Sequence, residues 1–394
     1  MTTSKQTNVV VIGGGYAGVI AANHLRTNPD VAVTLINPRP VFVERIRLHQ
    51  LVTGSDDAIV DYADVLGADV RLVVDSAVRV DAPARTVALA SGDTVAYDYL
   101  IYAVGSTGAA PTVPGAAEFA YAVSEFEHGE PLRAAVAGTR RGEPVAVVGA
   151  GPTGIEMATE LAEEGHAVTL LCGGVLGPYL SNPGRRSVAK VMRRLDVTVV
   201  DGPGSKVTEV REGSVVLSDG RELRSAVTIW TAGFGVPDLA RRSGLTTDGL
   251  GRLLTDETLT SVDDPFIVAA GDASAPSGAP LRMSCQAALP LGAQAANTVL
   301  SRIAGIEPAV INQAFTGQCI SLGRNAATIQ LARPDDRVMP LYIGGRAAAT
   351  VKEAVCKGTI SFLAKEARKP GSYFWLKGGK RAQRLAEADT ASVR

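Results

Sequence analysis

The sequence predicts an α/β fold: two parallel, doubly wound units, the second inserted in the first, followed by a C-terminal α+β segment. Three observations carry this. A β-branched run at 9–12 meets Gly13-Gly-Gly15-Tyr-Ala-Gly18 and then a run of helix formers. The pattern returns 136 residues on, where an apolar run at 145–148 meets Gly149-Ala-Gly151-Pro-Thr-Gly154. In each copy a second apolar strand, 31–36 or 167–171, follows at the distance that closes a βαβ unit of about thirty residues. One glycine-rich turn is a weak signal. Two, each with a strand before and a helix after, are specific to Rossmann-like dinucleotide-binding units.

The remaining elements repeat the scheme. Segments 97–105 and 227–233 each read as a buried strand ending in a small residue and glycine, Gly105 or Gly233. Each follows a hairpin-like stretch with a turn signal, Ser91-Gly-Asp or Ser218-Asp-Gly. A third strand, 266–270, ends at Gly271-Asp272, and a helix is expected from about Gln286 to Ala304. Strand-like pieces at 318–322 and 327–331 open the last part, and a basic helical stretch and an aromatic-basic tail end it. The expected boundaries are 1–118 and 245–308 for the first unit, 119–244 for the inserted one and 309–394 for the C-terminal segment.

The 394 residues carry 39 Lys/Arg and 40 Asp/Glu, a formal net charge of −1, which argues against nucleic acid as a partner. The sum is a cancellation: residues 346–384 hold ten basic and two acidic residues, a balance of +8, against −9 elsewhere. Within that stretch Val351, Val355, Phe362 and Leu363 recur at helical spacing, with Lys352, Lys357 and Lys365 on other faces. Tyr373-Phe-Trp-Leu-Lys377 follows. Aromatics beside basic residues suit an anionic membrane surface, and a tail packed on the acidic body or at a homodimer interface accounts for the same charges. Four cysteines, none spaced C-x-x-C, exclude a zinc ribbon and a dithiol motif, and no histidine pair has metal-ligand spacing. The polar N-terminus shows no signal peptide and no eighteen-residue apolar run occurs, so a cytoplasmic protein is expected, peripheral on the inner face of the membrane if the tail binds lipid.

The glycine turns define the chemistry. A dinucleotide pyrophosphate is a dianion. Gly13 and Gly15 let backbone approach it, Gly18 lets helix and strand pack closely, and the helix N-terminus offers free N–H groups and about half a positive charge. Gly149, Gly151 and Gly154 repeat the arrangement. Two dinucleotides in one chain suggest a flavin and a nicotinamide. The residue that reads the ribose hydroxyls, ordinarily acidic, is Asn37 in the first unit and Cys172 in the second. With no carboxylate at Cys172 and with Arg185 and Arg186 within sequence reach, NADPH is allowed beside NADH. Gly271-Asp272 is the expected contact to a flavin ribityl chain. Glu156 and Glu160 share a helix face, read either as solvated or with Glu156 beside the nicotinamide–flavin junction. His49 reads either as a flavin-edge or as a surface residue, and Cys285 either as a flavin neighbour or as an inert buried thiol.

On these residues, together with Asp98-Tyr-Leu-Ile-Tyr-Ala-Val-Gly105-Ser and Ile320-Ser-Leu-Gly323-Arg324-Asn325, the chain resembles the two-dinucleotide-fold flavoproteins. It is most similar to type II NADH dehydrogenases and the apoptosis-inducing-factor-like, ferroptosis-suppressor-type quinone reductases. The resemblance implies FAD at the first site and NADH or NADPH at the second. It places Glu156 near the nicotinamide as the catalytic candidate, and Arg45, Val78, Gly105, Asp272 and Gln286 near the cofactors. Two departures matter. Residues 37–54 lack the cysteines of disulfide reductases. Aligned on Gln286, Pro290 and Leu291 stand where type II dehydrogenases have a glutamine pair beside the quinone. The function expected is transfer of a hydride from NAD(P)H to flavin and of two electrons to a quinone-like acceptor. The alternatives are a reductase of a redox protein or of a biosynthetic small molecule, and a nicotinamide-responsive redox-sensing interaction protein.

Overall fold

The computed structural model describes residues 6–140 and 142–392; the first five residues, on which part of the leader reading rests, lie outside them. The first unit begins with β1 (Thr7–Ile12), α1 (Tyr16–Leu25), β2 (Val31–Asn37), α2 (Leu48–Thr53), β3 (Arg71–Val74) and β4 (Tyr99–Tyr102). The inserted unit holds β5 (Ala120–Ala122), α3 (Gly129–Ala137), β6 (Pro144–Val148), α4 (Pro152–Glu163), β7 (Ala167–Leu171), α5 (Asn182–Arg194), β8 (Thr198–Val200) and β9 (Val227–Trp230). The chain then adds β10 (Ile267–Ala269) and α6 (Cys285–Ile303) to the first unit. It ends with β11 (Gly317–Ser321), β12 (Ala327–Ala332), β13 (Val338–Gly344), α7 (Gly345–Arg368) and α8 (Arg381–Ser392).

The first sheet runs β10-β4-β1-β2-β3 and the second β5-β9-β6-β7-β8, both parallel throughout. Both faces of such sheets are covered, which is why their strands are continuous apolar runs rather than alternating ones: Val9, Val11, Leu100, Ile101, Val145 and Val147 are fully buried. Helix α1 is buried along its whole length between its sheet and α6. Gly292 makes that closeness possible, since a Cβ there would overlap the Ala17 carbonyl of α1. Leu239 and Ala240 pack among Val10, Ile12 and Leu100, and the Ala240 N–H donates to the Tyr102 hydroxyl at 3.1 Å. The chain has therefore rejoined the first unit before residue 245. Helix α2 bridges the units: Leu48, Leu51 and Val52 share a core with Leu132, Ile155 and Leu161.

In the C-terminal segment β11, β12 and β13 form an antiparallel sheet under α7. The sequence reading missed β13. It also misassigned the apolar stripe of α7: Val351, Val355 and Phe362 are 45%, 43% and 39% exposed, and the inward face is Ala348, Cys356, Thr359, Leu363, Glu366 and Ala367. Small and polar residues face inward because α7 lies across the face of this small sheet, chiefly over its middle strand β12, and beside the polar site; of that inward face Leu363 alone enters the first core. The tail then folds back over the first unit. Tyr373 and Trp375 pack on its core, and the Trp375 indole donates to the Asn312 carbonyl at 3.0 Å. Arg381 is paired with Glu257 at 2.6 Å. The Glu366 carboxylate, fully buried, faces His24 Nδ1 at 2.6 Å and accepts N–H bonds from Gly371 and Tyr373 at 2.7 and 2.6 Å.

Candidate active site

The two glycine turns superimpose in logic. In the first, a Cβ on Gly18 would overlap the Gly13 carbonyl, so α1 lies hard against the turn. Gly15, the N-cap of α1, has no side-chain cap, and a Cβ there would meet nothing within 4 Å. The second repeats this: a Cβ on Gly154 would overlap the Gly149 carbonyl, while Gly151 caps α4 and faces open space. Each turn thus presents uncapped helix N–H groups at an open backbone surface, the donor set that a pyrophosphate requires. The residues present fit a dinucleotide at both turns.

The other expected contacts of the first site divide. Asp272 follows β10 in a 3-10 turn, and the Ser106 hydroxyl donates to it at 2.7 Å. Burial pushes its carboxyl up, against the opposing pull of that bond and of Arg45. Arg45 holds the same corner, donating to the Ser106 hydroxyl at 3.0 Å and to the Ser124 carbonyl at 2.9 Å. Gly105 lies next to Ser106 with φ +73°. Val78 falls at a bulge, where the register shifts between Ala77 and Arg79, so it has no partner in its ladder. Asn37 also braces the turn. Its Oδ1 accepts the Gly14 N–H at 3.0 Å and its amide donates to the Arg39 carbonyl at 2.8 Å. Both ends are engaged, so it pins the glycine turn. Gln286 is also engaged, donating to Thr316 at 2.7 Å and accepting from Arg282 at 3.4 Å.

The face shared by Glu156 and Glu160 is not solvated; both are buried, and so is His49. Glu156 Oε1 lies 3.0 Å from Lys352 Nζ of α7 and accepts the Ser321 N–H of β11 at 2.9 Å. His49 of α2 stands between the carboxylates, with Nδ1 3.8 Å from Glu156 and Nε2 3.3 Å from Glu160. Ser55 donates to Glu160 at 2.8 Å. Burial alone would raise the Glu156 carboxyl; the Lys352 ammonium, His49 and the Ser321 N–H together outweigh it and hold it below the usual range. Lys352 is correspondingly raised, with burial opposed by Glu156. Glu160 has weaker counter-charges, and burial carries it up to about 7. Burial takes His49 down to about 4.

Lys352 is the residue that sequence reading missed; its helical spacing had put it on an outward face. It also sits within charge range of Cys285, Cys319 and Cys356, whose thiols burial raises. Cys285 begins α6 just beyond the Gly271-Asp272 turn. The ammonium therefore lies where the three segments meet. Pro290 and Leu291 are buried in α6, and Leu291 is part of the first core, so no amide pair faces the site there. Arg185 is likewise consumed: its guanidinium donates to the Leu176 and Leu180 carbonyls and to Asn182, at 2.7, 3.3 and 3.0 Å. Among the described residues no helix is long and apolar enough to cross a membrane.

Two parallel dinucleotide folds, one within the other, and a polar junction capped by a C-terminal sheet define a pyridine-nucleotide flavoprotein architecture. The chain belongs to the pyridine nucleotide-disulphide oxidoreductase family, which it matches over residues 7–292. It is 30% identical over 387 residues to an NADH dehydrogenase-like protein of Mycobacterium tuberculosis, covering 86% of this chain and 96% of that one. It is 27% identical over 351 residues to the type II NADH:quinone oxidoreductase Ndh of the same organism, covering 77% and 74%. Two solved structures share the fold. The sulfide:quinone oxidoreductase of Aquifex aeolicus has a TM-score of 0.79 at 20% identity, covering 93% of each chain. NDH2 of Plasmodium falciparum has a TM-score of 0.76 at 16% identity, covering 93% of this chain and 99% of that one.

Proposed function

We propose that the protein is an FAD-dependent NADH dehydrogenase that delivers two electrons to a quinone-type acceptor. The observation that carries the reading is the junction itself. Glu156 of the inserted unit and Lys352 of the C-terminal segment form a buried ion pair beside Cys285, at the start of the helix that follows Asp272. The relatives named as NADH dehydrogenases and quinone oxidoreductases support the same reading. Bound FAD and NADH supply the two-electron chemistry, and the chain holds and aligns them. Gly13, Gly15 and Gly18 hold the FAD pyrophosphate, Asp272 and Gly105 its ribityl side, Arg45 the corner beneath, and the bulge at Val78 its adenine. Gly149, Gly151 and Gly154 hold the nicotinamide nucleotide, with Glu156 beside its reactive end. Lys352 keeps a fixed positive charge there, held by its ion pair with Glu156.

The protein acts as a peripheral membrane enzyme in this reading. Phe362, Phe374 and Leu376 are 39%, 68% and 58% exposed beside Lys365, Lys369 and Lys377. That combination suits an anionic bilayer, from which an apolar quinone is drawn. The test is spectroscopic. Purified protein carries a flavin band that NADH bleaches anaerobically and a short-chain quinone restores. A protein that binds no flavin when FAD is supplied, or whose flavin NADH leaves oxidised, overturns the proposal. Co-sedimentation with anionic vesicles at low salt tests the membrane contact. Sedimentation velocity decides between monomer and homodimer.

A further inference from the structure

In a dinucleotide-binding βαβ unit the adenosine ribose lies over the end of the second strand, where a carboxylate ordinarily accepts its 2′-hydroxyl. In the inserted unit that strand is β7, and the residue after it is Cys172. The neighbouring strand supplies the missing charge. β7 and β8 pair in parallel with Leu171 opposite Val200, and the Cys172 N–H donates to the Val200 carbonyl at 2.9 Å. One further step in register sets Asp201 beside Cys172, at an inter-strand spacing of about 4.8 Å. Alternation puts the two side chains on one face, opposite to that of Leu171 and Val200.

The surroundings suit a ribose edge. The Gly202 N–H donates to the Gly174 carbonyl at 2.6 Å, joining the loops after the two strands into one rim. Cβ atoms on Gly173, Gly174 or Gly202 would meet nothing within 4 Å, so the rim is open. Asp201 is exposed there, and its charge, after burial, helps push the half-buried Cys172 thiol up to about 12. The cation best placed in sequence to neutralise a 2′-phosphate, Arg185, is folded back on the carbonyls of its own loop. Arg186, exposed on α5, is the nearest alternative.

We infer that Asp201 is the residue that selects NADH against NADPH: its carboxylate accepts the ribose 2′-hydroxyl and repels a 2′-phosphate. The inference rests on the proposed nucleotide site at the second glycine turn. It corrects the expectation that no carboxylate stands at this position, because the acid arrives from the adjacent strand instead of from the end of β7.

The test is calorimetric binding of ADP-ribose and 2′-phospho-ADP-ribose, neither of which can transfer electrons, to the flavin-loaded full chain. Wild type is expected to prefer ADP-ribose by roughly tenfold or more at low salt, the preference shrinking as ionic strength rises. Asp201→Asn brings the ratio toward one, chiefly by tightening the phosphorylated fragment, and Asp201→Arg inverts it. A ratio unchanged in Asp201→Asn, with both fragments bound, overturns the assignment and leaves the proposed function standing. A wild-type preference for the phosphorylated fragment that Arg186→Ala abolishes also overturns it, giving the subsite to Arg186. Absence of binding by either fragment removes the nucleotide site and the proposed function with it. Circular dichroism of each variant verifies the fold.

Discussion

Glu156 and Lys352 offer the sharpest quantitative test of the junction. Their side chains are 8% and 14% exposed and lie 3.0 Å apart, with the Ser321 N–H on the same carboxylate oxygen. Glu156→Gln keeps an oxygen for Ser321 but leaves the ammonium without its counter-charge. Removing one partner of a buried pair costs about 3–5 kcal/mol. Lys352→Met leaves Glu156 with the Ser321 N–H and a distant His49, so its cost falls at the lower end of that range. The double variant Glu156→Gln/Lys352→Met leaves no buried charge unpaired, and such replacements are close to neutral. The cycle should therefore show a coupling of about 6 kcal/mol, the sum of the two single costs less a near-zero double, read from urea unfolding at pH 7 by far-ultraviolet circular dichroism. The pair is intact at that pH. Glu156, lowered in the fold, contributes above the ordinary carboxylate pKa and loses its contribution as pH falls through its folded value. Lys352, raised in the fold, contributes below the ordinary ammonium pKa and loses it as pH rises through its folded value. Single variants costing less than about 1 kcal/mol each, as an exposed pair would, or a double variant costing their sum, would refute the account of a buried, coupled pair.

Three further outcomes follow from the same geometry. Glu160, raised to about 7, makes stability fall as pH climbs from the ordinary carboxylate value to 7, whereas His49, lowered to about 4, makes it rise from pH 4 to 6.5. Chemical unfolding across pH 4–8 should thus show Glu160→Gln steepening the rise and His49→Asn exposing the fall; parallel curves for wild type and both variants would contradict it. Gly18→Ala forces its Cβ into the Gly13 carbonyl and should yield folded protein without flavin absorbance. Gly154→Ala should keep the flavin but abolish its bleaching by NADH, as anaerobic titration would show. Glu366→Gln replaces the buried carboxylate that the Gly371 and Tyr373 N–H groups donate to and that faces His24 Nδ1, loosening the contact of α7 with α1 at a cost of about 1–3 kcal/mol. Limited trypsinolysis should then release the tail after Lys365–Lys369 at least tenfold faster, and an unchanged rate would count against the latch.

The parallel sheets were legible because burial on both faces leaves a sequence trace: apolar runs of four to six residues, punctuated by glycines whose missing side chains the packing requires. Gly18 and Gly154 are examples, each forced by a carbonyl in van der Waals overlap with any Cβ. The C-terminal segment left a poorer trace. Its helix α7 turns Cys356, Thr359 and Glu366 inward and leaves Val351 and Val355 at the surface, so hydrophobic periodicity pointed to the wrong face. Lys352 was hidden for the same reason. A lysine reads as solvated unless a buried carboxylate awaits it, and that carboxylate lies 196 positions earlier in the chain. Distance in sequence also does not show that Asn37 braces the glycine turn or that Arg185 folds back on its own loop, since both roles are set by contacts between loops.

The same reasoning explains why the C-terminal segment belongs to the site and is more than a tail. Burying Glu156 and Glu160 on α4 without partners would be prohibitive, since an unpaired carboxylate either neutralises or drags water in. The end of β11, the turn after it and the first half of α7 supply the Ser321 N–H, Arg324 and Lys352 to just those carboxylates. Part of the basic excess of residues 346–384 is met in this way by acids outside the segment, Lys352 by Glu156 and Arg381 by Glu257. The cancellation of charge in the sequence is therefore partly a cancellation in space. Among the exposed cations that remain, Lys365, Lys369 and Lys377 stand close in sequence to the exposed Phe362, Phe374 and Leu376, and they are the charge best placed to meet a membrane. Neutralising those three lysines should abolish vesicle binding without moving the flavin spectrum, whereas Lys352→Met should move the spectrum and leave vesicle binding intact.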